Sequence, residues 1–310
     1  MKKISEPITF FGSGPVAAQS LRLLAQDFVI DAVITKPRAP HHRGDVPVLA
    51  AAEALAIPVR TVTDKDSLDT LFGAKPPKTR LGVLIDFGII VSQEVIDAFP
   101  LGIINSHFSL LPEWRGADPI TFSILSGQRR TGVSLMLLSA GMDEGLLLAQ
   151  APFDIPSNTT TPQLTAELID LSFQTLHQIL PLYIAGSIQP APQEAVTLAA
   201  NKTPTYSRRL TKEDSIVDWH KSAQTLEYEI RAFIEWPKTH TTLGTLQVIL
   251  TQAHATKGVG PAGKLTLVGT SLAVYCGQGM LIIDRLKPRG KKEMTSQAFL
   301  AGYKDQLDLS

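Results

Sequence analysis

Residues 8–24 read ITFFGSGPVAAQSLRLL. Ile8 to Phe11 is a short apolar run. Gly12-Ser13-Gly14-Pro15 breaks it, and Val16 to Leu24 returns to apolar residues at helical spacing. This is a strand, a Gly-rich turn and a helix. The alternation continues outward. Phe28 to Thr35 is rich in Val and Ile and reads as a second strand, Pro47 to Leu55 as an Ala-rich helix, and Ile57-Pro58-Val59 as an edge strand. Leu81 to Ile85 reads as a buried strand, Ser92 to Ala98 as a short helix, and Ile103 to Asn105 and Thr131 to Leu138 as further strands. Strands alternating with helices predict an α/β fold with a doubly wound, mostly parallel sheet. Ligands of such sheets bind beyond the carboxyl ends of the strands, where Asp86, Asn105 and the 139–145 loop fall.

Thr161-Pro162 predicts the start of a long helix, with Thr as N-cap and Pro at the first helical position. The helix is expected to reach about Ala185 and stop at Gly186. Residues 189–205 contain three Pro and several small residues and read as a linker. Beyond it, Ser222 to Phe233 reads as a helix. Leu246–Thr251, Lys264–Val268, Leu272–Cys276 and Met280–Asp284 read as short strands between glycines, the pattern of a small barrel or sandwich. The expected organisation is a first domain over 1–188, a linker over 189–205 and a small β domain over 206–310.

The 310 residues are 44% apolar and 19% charged, an ordinary globular composition long enough for two cores. Net charge is zero but unevenly spread: residues 1–200 hold 14 Lys+Arg against 19 Asp+Glu, and residues 201–310 hold 15 against 10. A basic C-terminal third fits a polyanionic partner, with a solvated basic face as the other reading. One cysteine, Cys276, leaves no disulfide framework and no thiolate metal cluster. No apolar stretch reaches the roughly 18 residues of a membrane span. Glu6 and Pro7 stand where a signal peptide would need an apolar core, so a cytoplasmic protein is expected.

Three constellations carry chemistry. Gly12-x-Gly14-x-x-Ala17 has the outline of a dinucleotide fingerprint. Pro15 inside the turn, and Lys36 where an acid would meet a ribose, favour a tight turn that lets a ligand approach instead. The loop KPRAPHHRGDV, Lys36 to Val46, gathers His41, His42 and Asp45, but Lys36, Arg38 and Arg43 would repel a cation. A solvated basic loop with no metal is the preferred reading, and such a loop could touch phosphate. In LGIINSHFSLLPEWRGADP, residues 101–119, Asn105 and His107 lie two apart on an extended segment and share a face. An amide and an imidazole aimed at one point can stabilise an oxyanion. Asp143, in SAGMDEG after the Thr131–Leu138 strand, could orient His107 or help move a proton. The alternative is a capping Asn, a structural His and a turn Asp. No nucleophile elbow is present, which favours direct group transfer.

INSHFSLLPEWRGADPI and TGVSLMLLSAGMDEG resemble the core of the 10-formyltetrahydrofolate-dependent formyltransferases, a Rossmann-like fold. The family's catalytic Asn, His and Asp fall on Asn105, His107 and Asp143, and its Ser-Leu-Leu-Pro run on Ser109, Leu110, Leu111 and Pro112. YSRRLTKEDSIVDWHKSAQTLEYEIRAFIEWP and PAGKLTLVGTSLAVYCGQGMLIIDRLKPRGKKEMTSQAFLAGY are similar to the oligonucleotide-binding-type (OB-like) barrel domain of the methionyl-tRNA formyltransferases. The resemblance runs from about Ile8 to Tyr303. It implies formyl transfer from 10-formyltetrahydrofolate, without a metal, to initiator methionyl-tRNA. The same core also serves sugar-nucleotide formyltransferases, which stay open as an alternative. It implies a pterin site along Ile85, Asp86, Phe87, Gly88 and Ile89, Leu138 and Gly141, and the 109–112 run. It further implies tRNA contacts from Lys36, Arg38, Arg43, Arg208, Arg209, Lys287, Arg289, Lys291 and Lys292, in a monomer. Two positions depart from the family pattern beside the site: Phe108 stands where Gly or Ala is usual, and Asp86-Phe87-Gly88 where Ala-Tyr-Gly is usual.

Overall fold

The computed structural model describes residues 4–39, 44, 46–196 and 202–309. The chain forms two compact units. The first comprises Met1–Pro119, Arg130–Asp154 and Thr165–Ser207, and the second Ile120–Arg129, Ile155–Leu164 and Arg208–Ser310.

In chain order the first 154 residues carry β1 (Ile4–Phe11), α1 (Pro15–Asp27), β2 (Phe28–Thr35), α2 (Pro47–Ala54), β3 (Val59–Thr61), α3 (Lys65–Ala74), β4 (Leu81–Leu84), α4 (Gln93–Asp97), β5 (Ile103–His107), β6 (Arg115–Gly116), α5 (Pro119–Leu125), β7 (Arg130–Leu137) and β8 (Leu147–Asp154). The sheet order is β3-β2-β1-β4-β5-β7-β8. The ladders from β3 to β5 are parallel, as the alternation predicts, whereas β5–β7 and β7–β8 are antiparallel. The sequence reading passed over α3, α5 and β8. The start of α3 is fixed by a capping box between Asp64 and Ser67. The core beside the sheet is aromatic. The Phe11 ring meets those of Phe87, Phe99 and Phe72 at centroid distances of 5.5, 5.8 and 5.9 Å. Each buried phenyl ring contributes roughly 1.5–3 kcal/mol.

The long helix α6 spans Thr161–Ile184. Its cap is Thr160, whose carbonyl accepts from Leu164 N–H and whose own N–H and hydroxyl donate to Gln163, so Thr161 lies inside the helix. Gly186, at φ +71°, ends it as expected. The described part of the 189–205 segment packs within the first unit: Ala191 pairs with Leu147, and β9 (Tyr206–Ser207) pairs with β6.

The second unit holds α7 (Ala223–Ala232), β10 (His240–Leu243), β11 (Leu246–Thr256), β12 (Leu265–Val268), β13 (Ser271–Tyr275), β14 (Met280–Pro288), β15 (Met294–Thr295) and α8 (Ser296–Tyr303). Its antiparallel sheet runs β10-β11-β14-β13-β12, with β15 on β14, and forms a curled half-barrel. A register shift near Gln252, between β11 and β14, marks an irregularity of the kind that increases twist. Ser222, read as the first residue of the helix, is the cap of α7. Leu226, Ile230, Leu250, Leu281, Leu286 and Phe299 form the centre of its core. β11 and β14 outrun their expected ends, reaching Thr256 and Pro288.

Candidate active site

β5 lies between β4 and β7, so both of its edges are hydrogen-bonded. Its five residues are all buried. Asn105 and His107, two apart, share a face as predicted, and Asp143 joins them. Asn105 Nδ2 donates to Asp143 Oδ1 at 3.3 Å, and His107 Nδ1 lies 3.7 Å from Asp143 Oδ2. The other ring nitrogen, His107 Nε2, is 2.9 Å from the carbonyl oxygen of Trp114. A carbonyl can only accept, so Nε2 carries a proton and Nδ1 is the atom that faces Asp143.

Asp143 sits at φ +51°, in the left-handed region. Three groups hold it there. Gly116 N–H donates to Oδ2 at 2.7 Å, Asn105 holds Oδ1, and Gln193 Nε2 donates to the Asp143 carbonyl at 2.8 Å. Gln193 also reaches the Gly145 carbonyl at 3.2 Å and accepts from Arg115 Nη2 at 2.9 Å. Arg115 in turn pairs with Glu144 at 3.0 Å. Trp114, Arg115, Gly116 and Gln193 are site residues that sequence reasoning missed. The first three lie inside the stretch read as catalytic, and their proximity in sequence to His107 was the available signal. Gln193, fifty residues from Asp143, left none.

The Gly-rich turn resolves the dinucleotide question. Ser13 and Gly14 N–H groups point at the Asp86 carbonyl at 2.9 and 3.4 Å. A Cβ on Gly14 would fall 2.0 Å from Asp86 Oδ2. Ala17 N–H, in the first turn of α1, donates to the Asp86 carboxylate. The chain's own acid therefore occupies the positive end of α1, where a pyrophosphate would have to sit. Asp86 keeps solvent-accessible surface, yet the surrounding protein desolvates the carboxylate and raises its pKa to about 6, against the opposing pull of Lys36.

The expected pterin residues divide. Asp86, Gly88 and Gly141 are exposed, and Ile89 and Leu138 are partly buried. Ile85 and Phe87 are core residues, and the Phe87 ring packs on Phe11 rather than facing a ligand. The 109–112 run is buried and its polar backbone already has partners. Ser109 and Leu111 carbonyls accept from Ser134 and Gln150, Leu111 N–H donates to Ser134, and the Pro112 carbonyl accepts from Thr205. This run, which closely follows His107, is thus braced by Ser134, Gln150 and Thr205. Phe108 is 6% exposed, so its ring fills protein interior.

The expected tRNA residues also divide. Arg43 lies outside the described residues, as do His41, His42 and Asp45. Lys36 donates to the Gly88 carbonyl at 3.0 Å and is partly buried, whereas Arg38 is exposed. Arg208 forms a two-armed ion pair with Asp214, which is held well below the usual carboxylate range by that guanidinium. The Arg208 side chain nevertheless remains largely exposed. Arg209, Lys291 and Lys292 are exposed. Lys287 and Arg289 line a cleft of about 800 Å³ in the second unit, beside Trp219 and His240. Among the described residues no group of His, Cys, Asp and Glu has the arrangement of a metal site, and no helix is long and apolar enough to cross a membrane.

Comparison with known proteins agrees with this geometry. Residues 19–180 match the family described as Formyl transferase, and residues 209–304 its C-terminal domain. A methionyl-tRNA formyltransferase of Roseiflexus castenholzii is 32% identical over 96% of both chains. One of Pseudomonas entomophila is 36% identical over 94% of both. Among solved structures, an N-formyltransferase from Helicobacter canadensis, in complex with folinic acid and dTDP-3-aminofucose, shares the fold at 18% identity. It superposes with a TM-score of 0.66, over 95% of this chain and all of that one. HypX from Aquifex aeolicus, in complex with tetrahydrofolic acid, superposes at 0.62 and 16% identity over 98% of this chain and 48% of that one. With a core that sets Asn105, His107 and Asp143 together and relatives matched along almost its whole length, the chain belongs to the methionyl-tRNA formyltransferase family.

Proposed function

We propose that Asn105, His107 and Asp143 transfer the formyl group of 10-formyltetrahydrofolate to the α-amine of initiator methionyl-tRNA. The observation that carries this assignment is the Asp143 carboxylate, which faces both Asn105 and His107 at the end of a central strand. The free-base amine attacks the formyl carbon, and a C–N bond forms. Asn105 Nδ2 donates to the oxygen of that carbon as it becomes tetrahedral. His107 acts through Nδ1, since Nε2 is bound to Trp114. A proton on Nδ1 gives a second donor to the same oxygen, balanced by the Asp143 carboxylate. The amine's proton passes to the Asp143–His107 pair, directly or through water, and from there to the departing folate nitrogen. The C–N bond to that nitrogen breaks, and tetrahydrofolate leaves. A charge held ready in a partly buried setting needs little reorganisation.

The folate lies against the open end of β4, between the Asp86–Ile89 and Leu138–Gly141 segments. Lys287, Arg289, Lys291, Lys292, Arg209 and Arg38 contact tRNA phosphates, in a monomer acting in the cytoplasm. Formylation assays with initiator Met-tRNA, elongator Met-tRNA and a dTDP-amino sugar test the assignment. Product with initiator Met-tRNA alone is expected, and product with the amino sugar alone would overturn it. Removing Lys287 and Arg289 together should weaken tRNA binding and lower the salt slope by about 2, one for each phosphate contact.

A further inference from the structure

We propose that Gln193 is a positioning residue for the reaction, holding the Asp143 loop against Asn105 and His107. The proposal rests on the site assignment above. Loop 139–146 is exposed along most of its length, and Asp143 within it is in a left-handed conformation. Such a backbone persists only where its surroundings hold it. Gln193 is 6% exposed and uses both ends of its amide. Its NH2 group donates to the carbonyls of Asp143 and Gly145, on either side of Glu144, and its oxygen accepts from Arg115 Nη2. Arg115 directly precedes Gly116, whose N–H holds Asp143 Oδ2. One amide therefore ties together the two segments that set the carboxylate, with all three of its bonds made to protein groups.

The segment that carries it is fixed too. Ala191 pairs with Leu147 in both directions, at 2.8 and 2.9 Å, and a short turn at Gln193–Ala195 presents the side chain inward. The amide orientation follows from its partners. Two carbonyls can only accept and the guanidinium can only donate, so no flipped amide satisfies the three groups. Loss of the two N–H donors frees the loop to leave the left-handed conformation, and Asp143 then drifts from His107.

Two substitutions separate this role from a merely structural one. Gln193→Ala removes all three bonds. Gln193→Glu keeps the size and the contact to Arg115 but sets a carboxylate against two carbonyls. Steady-state formylation is measured with active sites counted by folate titration, and Asp143→Ala is measured in parallel. Both Gln193 variants are expected to lose about 10- to 100-fold in kcat, the scale of a small misplacement. KM for Met-tRNA and for the folate should stay within about twofold. Wild-type kcat in Gln193→Glu would overturn the proposal, because it would show the Arg115 contact alone to be sufficient. Equal loss in kcat and in titratable sites would also overturn it, as the signature of unfolding. If Asp143→Ala keeps full activity, the site assignment itself fails; an inactive Asp143→Ala beside fully active Gln193 variants rejects the Gln193 role alone.

Discussion

Asn105 and His107 are carried by a strand with neighbours on both sides, whereas Asp143 is carried by an exposed loop. The strand residues owe their position to ladders that β4 and β7 form with β5, at Leu84↔Asn105 and His107↔Ser134. The ladders set their backbone, and the Trp114 carbonyl then fixes the His107 ring. Asp143 has no ladder partner at its own position, and its place depends on Gly116, Asn105 and Gln193. The two halves of one site are thus stiff for different reasons. A group that must receive the developing charge gains from a fixed frame. A group that assists proton movement sits on the part of the site that a few hydrogen bonds can release.

The contrast predicts unequal effects. His107→Ala and Asn105→Ala remove groups the frame cannot replace and should lower kcat by about 10²–10⁴ and 10²–10³ respectively, read as steady-state formylation. Survival of near-normal rates in both would break the comparison at its stiff side. Gly145→Ala should cost less, about 10- to 100-fold in kcat. Its Cβ would fall 1.7 Å from the Leu137 carbonyl and must push the loop outward. An unchanged kcat would show that the loop position is not what matters.

The smallest effect belongs to Asp86, at the next strand end. Its folded-state pKa, near 6, lies above the roughly 3.9 of an unfolded aspartate. The folded chain therefore binds more protons than the unfolded chain between those values. Stability falls as pH rises from about 4 to about 6 and is level above that range. Asp86→Asn removes this dependence. The melting midpoint of the variant, relative to the parent, should climb by roughly 1–3 °C between pH 4 and pH 7. A flat or falling difference would show that the Asp86 carboxyl is fully ionised in the fold.

How much of this was legible in the sequence depends on distance along the chain. The run from Ile8 to Leu24 gave a correct strand, turn and helix because each pattern is local. Asn105 and His107 could be paired because two residues on a strand share a face whatever the rest does. The partners of residues 109–112 were not legible, because Ser134, Gln150 and Thr205 reach that run from distant parts of the chain. The partner of Arg208 was not read either: its fork of donors pairs with Asp214, six residues away. The sheet is mostly parallel as expected, but nothing local marks which strands, β7 and β8, run antiparallel.

The sequence by itself determined the alternating α/β core, the Gly-rich turn, the basic C-terminal third and the face that Asn105 and His107 share. Periodicity, turn chemistry and charge act over a few residues, so they can be read without knowing the fold. Only the tertiary structure decided which groups meet across long separations. It seated Asp86 on the end of α1, committed His107 Nε2 to Trp114, and brought Gln193 across fifty residues to the Asp143 loop. These contacts form because buried donors and acceptors must find partners once the core excludes water, and which partner is in reach is a property of the packed chain.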